Sequence, residues 1–178
     1  MKTGRIAFAA GALVVAAALA GAMEVQTSYD PKADFSAYLT YSWGTTTSPG
    51  GPAAEEKVRE AADAWLQSRG WKKVEEGKGD VTLAVSAVVG GKADLGSFYG
   101  GWAGWSWRGW GEAADEAAAP RYEEGTLVLD AFDTKSKQLI WRGLAMDALS
   151  PKPEKDARRI GKAVAKILAD FPAFSRVA

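Results

Sequence analysis

With 178 residues and a 47% hydrophobic content, the chain is long enough for one domain with a real core. Its 22 basic and 22 acidic residues cancel, which removes the electrostatic case for a nucleic-acid partner. It contains no Cys and no His, which excludes disulfides, thiol nucleophiles, the commonest general base and the commonest transition-metal ligand.

Lys2 and Arg5 form a basic start, and Ile6 to Ala20 is an apolar run without charge. Ala20, Gly21 and Ala22 then offer small residues where a signal peptidase cuts. The run is short for a membrane span of about 20 residues. Residues 1–22 therefore read as a cleaved export signal, with a retained anchor as the alternative. Leu19-Ala20-Gly21 resembles the start of a lipoprotein box, but Ala22 stands where the lipid-bearing Cys would be. The expectation is an exported chain of the periplasm or cell envelope, not lipidated, beginning near Met23.

The remainder, 23–178, reads as a single domain. Val25 to Tyr29 alternates weakly as a first strand, and Asp30-Pro31 ends it. Tyr38 to Trp43 alternates again, with Leu39, Tyr41 and Trp43 on one side. Gly44 to Gly51 is a connector. Pro52 opens a helix whose Val58, Ala61, Ala62, Trp65 and Leu66 mark one buried stripe, and Gly70 closes it as a left-handed cap. Val81, Leu83, Val85, Ala87 and Val89 line one side of the next strand. Gly90 to Glu124 is a long insert.

Gly125 to Met146 predicts a hairpin, with Leu127, Val128, Leu129 and Phe132 in one strand and Leu139, Ile140, Trp141 and Leu144 in the other. A three-residue turn at Lys135-Ser136-Lys137 would pair Phe132 with Ile140, Asp130 with Arg142, and Val128 with Leu144. Leu127, Leu129, Ala131, Trp141 and Ala145 would then share the opposite face and meet the helices. A last helix starts at Pro153 and Glu154, with Ala157, Ile160, Val164, Ile167, Leu168 and Phe171 as its stripe. Arg158, Arg159, Lys162 and Lys166 occupy its solvated faces. Short turns between the last strands predict antiparallel pairing, and the fold class is α+β. The expected architecture is a two-layer domain, a largely antiparallel sheet with two amphipathic helices on one face.

YDPKADFSAYLTYSW, GDVTLAV, EEGTLVLDAFDTKSKQLIWRG and AVAKILADFP together resemble the bacterial domain-of-unknown-function family 4136. The hairpin is the most specific of the four. The resemblance implies a Gram-negative envelope protein, commonly a lipoprotein, with no established enzymatic activity and no catalytic residues to carry over. Ala22 departs from the lipoprotein habit.

The familiar catalytic motifs fail. Gly104-Trp105-Ser106-Trp107-Arg108 breaks the nucleophile elbow at its last position, and no His exists to activate Ser106. Gly44 to Gly51 has no Lys and cannot be a phosphate loop. Asp130 with Asp133, and Asp30 with Asp34, are carboxylate pairs of common spacing; Asp30 and Asp133 read as turn residues. No catalytic residue, metal ligand or cofactor is assigned.

One stretch stands apart: Gly96 to Gly111, GSFYGGWAGWSWRGWG. Trp102, Trp105, Trp107 and Trp110, with Arg108 among them, are the candidate binding residues. Such rings can stack on sugars, sit at a membrane interface or pack on a partner, and they can equally fold back on their own domain. A single Arg is too few cations for a nucleic-acid groove. The expected function is a non-enzymatic envelope domain that binds another envelope component. The alternative is a small-ligand or glycan binder using loop 96–111. Membrane contact stays open through that loop or through an uncleaved N-terminus.

Overall fold

The computed structural model describes residues 23–44, 51–88, 93–94, 121–122, 125–149 and 157–172. The strands are β1 (Val25–Tyr29), β2 (Thr40–Trp43), β3 (Lys72–Lys73), β4 (Val81–Ala87), β5 (Ala93–Asp94), β6 (Arg121–Tyr122), β7 (Leu127–Asp133) and β8 (Leu139–Ala145). The helices are α1 (Pro52–Ser68) and α2 (Ala157–Ala169), with a 3-10 turn at Phe35–Ala37. A six-stranded sheet runs in the order β1-β8-β7-β4-β2-β3, and β5 pairs with β6 apart from it. Among the described residues the fold is α+β, with a largely antiparallel sheet and two helices.

The antiparallel pairs are β1 with β8, β8 with β7, and β7 with β4. β2 runs parallel to both β3 and β4, so the sheet is largely but not wholly antiparallel, as expected. The reason lies in α1, which carries the chain back over the sheet between β2 and β3 and so returns it in the same direction.

Helix α1 begins with proline at its first position, as the sequence predicts. It ends in a Schellman arrangement, with the Trp71 amide donating to Leu66 O at 3.1 Å and the Gly70 amide to Gln67 O at 3.0 Å. Gly70 has φ +84°, which a side chain would strain. Ala54, Val58, Ala62 and Leu66 are its buried residues. In α2 the buried residues are Ile160, Ala163, Val164, Ile167 and Leu168. Ala157 is exposed, contrary to its expected place in the stripe, because it sits on the first turn and faces away. The predicted helix start at Pro153 and Glu154 lies outside the described residues, as does Val89.

One sheet face packs on both helices. Tyr41, Trp43, Val81, Leu83, Val85, Leu127, Leu129, Ala131, Trp141 and Ala145 belong to this core. Phe171, just beyond α2, is its aromatic hub. Its ring meets those of Trp141 at 4.9 Å, Trp71 at 5.6 Å, Phe35 at 6.1 Å and Trp65 at 6.3 Å, all edge-on. The opposite face is also closed to solvent at its centre, where Ser42, Thr82, Ala84, Ser86, Val128, Asp130 and Phe132 are buried.

The hairpin register matches the expected pairs for Asp130 with Arg142 and Val128 with Leu144. Phe132, however, lies opposite Leu139 and not Ile140, across a bulge. The turn is accordingly one residue longer than predicted. Asp133 donates its amide to Gln138 O at 2.9 Å, enclosing Thr134 to Lys137, with Lys137 at φ +60°. The extra residue is Ile140, and a bulge sets two successive side chains on one face. Ile140 and Trp141 therefore both enter the helix-side core. The freed Ile140 carbonyl accepts the Asp30 amide at 2.9 Å.

Strand β2 starts at Thr40, and Leu39 is 44% exposed, so Tyr38 and Leu39 belong to the connection and not to the strand. Neither β3 nor the β5–β6 ladder was legible, since two-residue strands carry no periodicity.

Candidate functional site

Trp102, Trp105, Trp107, Arg108 and Trp110 lie outside the described residues. What is described is their attachment. Ala93 pairs with Tyr122 and Asp94 with Arg121, antiparallel. The ladder brings the two ends of the 95–120 stretch side by side. Next to it the chain is anchored hard to the sheet. The Gly125 amide donates to Val88 O at 2.8 Å, and the Val88 amide to Thr126 O at 2.9 Å. Gly125 itself holds φ +87°, and a Cβ there would stand 2.9 Å from Leu149 O.

The polar groups of the described residues form three clusters. At the α1–sheet junction, Asp63 Oδ1 accepts from Tyr41 Oη and from Trp43 Nε1, both at 2.8 Å, and Oδ2 accepts from Lys73 Nζ at 2.8 Å. Arg59 lies over the Trp43 ring at 4.8 Å and donates to Gly44 O at 3.0 Å. Burial pushes the Tyr41 hydroxyl well above its ordinary range, so it remains a donor. The junction fastens α1 over β2 and β3.

The second cluster closes the end of the sheet. Asp80 Oδ2 accepts from the Thr40 hydroxyl at 2.7 Å, the Thr40 amide at 3.0 Å and the Leu39 amide at 3.1 Å. Gly79 makes this approach feasible, because a Cβ at that position would come within 2.6 Å of the Ser42 amide nitrogen. Asp133 accepts from the Ser136 amide at 2.6 Å and from Tyr38 Oη at 2.9 Å. Asp30 and Asp34 accept from the amides of Lys32 at 2.9 Å and Ser36 at 3.1 Å. Asp30 and Asp133 are turn residues, as the sequence suggested, and Asp34 caps the 3-10 turn.

Burial alone would raise the Asp80 carboxyl, but the bonds from Thr40 and Leu39, with Lys135 nearby, outweigh it and hold the group below its usual range. Burial likewise raises Asp133, and the Ser136 and Tyr38 bonds overcome it. A folded value below the unfolded one, about 3.9, means stabilisation that is complete above that value. It is lost as pH falls through the lower, folded value. Asp80→Asn is therefore expected to flatten the acid limb of the stability profile from about pH 5 downward. Urea unfolding across that range checks it, and parallel acid limbs would refute the assignment.

The third cluster is the ion pair on the buried sheet face opposite the helices. Arg142 Nε and Nη2 donate to Asp130 Oδ1 and Oδ2, both at 2.7 Å. It is a bidentate fork across neighbouring strands.

Chemically, each of these carboxylates is held by donors and acts as a structural acceptor. Among the described residues there is no group of three or more potential metal ligands. No described helix is long and apolar enough to cross a membrane. Sequence reasoning missed Asp63 and Asp80. The available signal was Tyr41 and Trp43 together, two buried rings with polar handles that each need a partner.

The family model for domain of unknown function DUF4136 matches residues 25–173. The fold is similar to that of a DUF4136 family protein from Bacteroides thetaiotaomicron, with TM-score 0.57 and 15% identity over 86% of this chain and 97% of that one. A PDZ domain protein from Parabacteroides distasonis aligns with TM-score 0.49 and 10% identity, over 85% of this chain and 36% of that one. The PelC dodecamer from Paraburkholderia phytofirmans aligns with TM-score 0.46 and 8% identity, over 83% and 96%. No curated protein sequence matches the chain. Because the family match runs from β1 to just beyond α2, the chain belongs to the DUF4136 family.

Proposed function

We propose that the protein is an exported, non-enzymatic envelope domain that binds another envelope component through the tryptophan-rich stretch 96–111. Its chief support is the β5–β6 ladder, which brings the two ends of residues 95–120 together. The anchored Val88–Thr126 bonds alongside give that stretch a firm base. Binding segments carried on a rigid scaffold are a common arrangement. Against catalysis stand the absence of His and Cys from the chain and the carboxylates already committed to structural hydrogen bonds. Export rests on the basic, then apolar, then small-residue order of positions 1–22.

Replacing Trp102, Trp105, Trp107 and Trp110 together with Ser tests the reading. Association with native envelope fractions, followed by crosslinking in cells, should be lost. The melting temperature should fall by less than about 5 °C, the equivalent of roughly 1–2 kcal/mol at this size. A larger fall would mean that the rings support the domain's own core. Quenching of tryptophan fluorescence by cell-wall glycans, absent in the variant, would direct the reading to a sugar ligand.

A further inference from the structure

We infer that the β1 edge pairs antiparallel with β1 of a second copy of this chain, joining two sheets through a two-fold axis at Thr27. This inference is independent of the tryptophan-rich stretch.

The two edges of the sheet are built differently. At one edge, β3 is only two residues long, both are lysines, and Lys73 is tied to Asp63. Short strands and lysines are the usual guards against edge pairing. At the other edge, β1 runs for five residues, Val25–Tyr29, with no lysine, no proline and no register shift against β8. Tyr29 is 59% exposed, and it is one of only two large hydrophobic side chains that stand out among the described residues.

The hydrogen-bond phase of β1 is set at both its ends. The Met146 amide donates to Glu24 O at 2.9 Å, and the Asp30 amide donates to Ile140 O at 2.9 Å. Even-numbered residues therefore bond to β8. The amides and carbonyls of Val25, Thr27 and Tyr29 point outward along the edge, because successive residues of a strand alternate in direction.

A two-fold axis through Thr27 is the one that suits this sequence. Thr27 then faces Thr27 of the second copy, and Val25 faces Tyr29. Thr–Thr and aromatic–β-branched pairs are both favourable cross-strand neighbours. On the other face, Gln26 meets Ser28. The pairing is isologous and closes on itself, so it gives a dimer and no filament. Just beyond the strand ends, Glu24 faces Asp30, an unfavourable pair. With one five-residue strand as its contact, the association is weak and concentration-dependent.

The chain has no Cys, so single-cysteine variants of the mature protein report the register cleanly. Residues facing each other across a hydrogen-bonded antiparallel pair have Cα atoms about 5.5 Å apart. That lies within disulfide reach. Mild oxidation of Thr27→Cys should give covalent dimers, and Lys72→Cys at the opposite edge should not. Sedimentation should show a reversible monomer–dimer equilibrium. Thr27→Lys, which places two ammonium groups on the axis, should raise the dissociation constant by about tenfold or more. Circular dichroism confirms that it folds, and if it does not, the cysteine pair decides. The inference is overturned if the wild-type protein is monomeric at every concentration, which is also the result if the edge instead takes an extended segment of another protein. Equal crosslinking of both cysteine variants, or a dimer unaffected by Thr27→Lys, overturns it as well.

Discussion

Trp141→Ala is expected to lower the unfolding free energy by about 3–5 kcal/mol, the range for removing a large buried aromatic. The side chain is fully buried, and its ring meets Phe171 edge-on at 4.9 Å. Beneath it lies Gly143, where an added Cβ would stand 2.5 Å from Trp141 and 2.3 Å from Ile167. The strand has left out a side chain so that the indole and α2 can lie close, and a truncated ring leaves a void that rigid neighbours cannot fill. The indole Nε1 finds no hydrogen-bond partner among the described residues. Trp141→Phe removes that buried donor along with some volume, so its loss should be clearly smaller. Chemical denaturation of the two variants tests both statements. A loss below about 1 kcal/mol for the alanine variant would contradict the packing described for this core.

The second large effect concerns the Asp130–Arg142 fork. Asp130 is fully buried, and the Arg142 side chain is 10% exposed. Asp130→Ala leaves a buried guanidinium without its carboxylate, and the expected cost is about 3–5 kcal/mol. Replacing both, Asp130→Leu with Arg142→Met, should recover most of that loss, because an apolar pair avoids the desolvation of two charges. A double variant as unstable as the single one would mean that the fork also orders its surroundings. A double-mutant cycle in urea separates these outcomes.

The expected register followed from a three-residue turn, which is one residue too short. The pairs Asp130–Arg142 and Val128–Leu144 hold because the bulge at Ile140 takes up the extra turn residue, and the alternation of Leu127, Leu129 and Ala131 keeps its face. The bulge at Ile140 was not readable, since an apolar residue beside Trp141 suits either face until the register is known. The same holds for the carboxylates. Asp30 and the Ser136 contact of Asp133 lie within their own turns and could be assigned from neighbouring residues, whereas the Tyr38 contact of Asp133 could not. Asp63 and Asp80 bond to side chains and amides brought close only by folding, Tyr41 and Trp43 for one, Leu39 and Thr40 for the other.

The sequence by itself determined most of the apolar stripes of α1 and α2, the central alternating strands, the cap at Gly70 and the α+β class. Each depends on periods or residue preferences that act over a few neighbouring positions. It also sufficed to identify the family resemblance. Tertiary structure alone decided that β2 lies beside β4 and β3 in parallel, that Asp63 locks α1 to the sheet, and that β1 and the lysines of β3 stand at its two edges among the described strands. Strand order and edge position depend on contacts between residues far apart in the chain. Those contacts are selected by the packing of whole faces, and no local pattern encodes them.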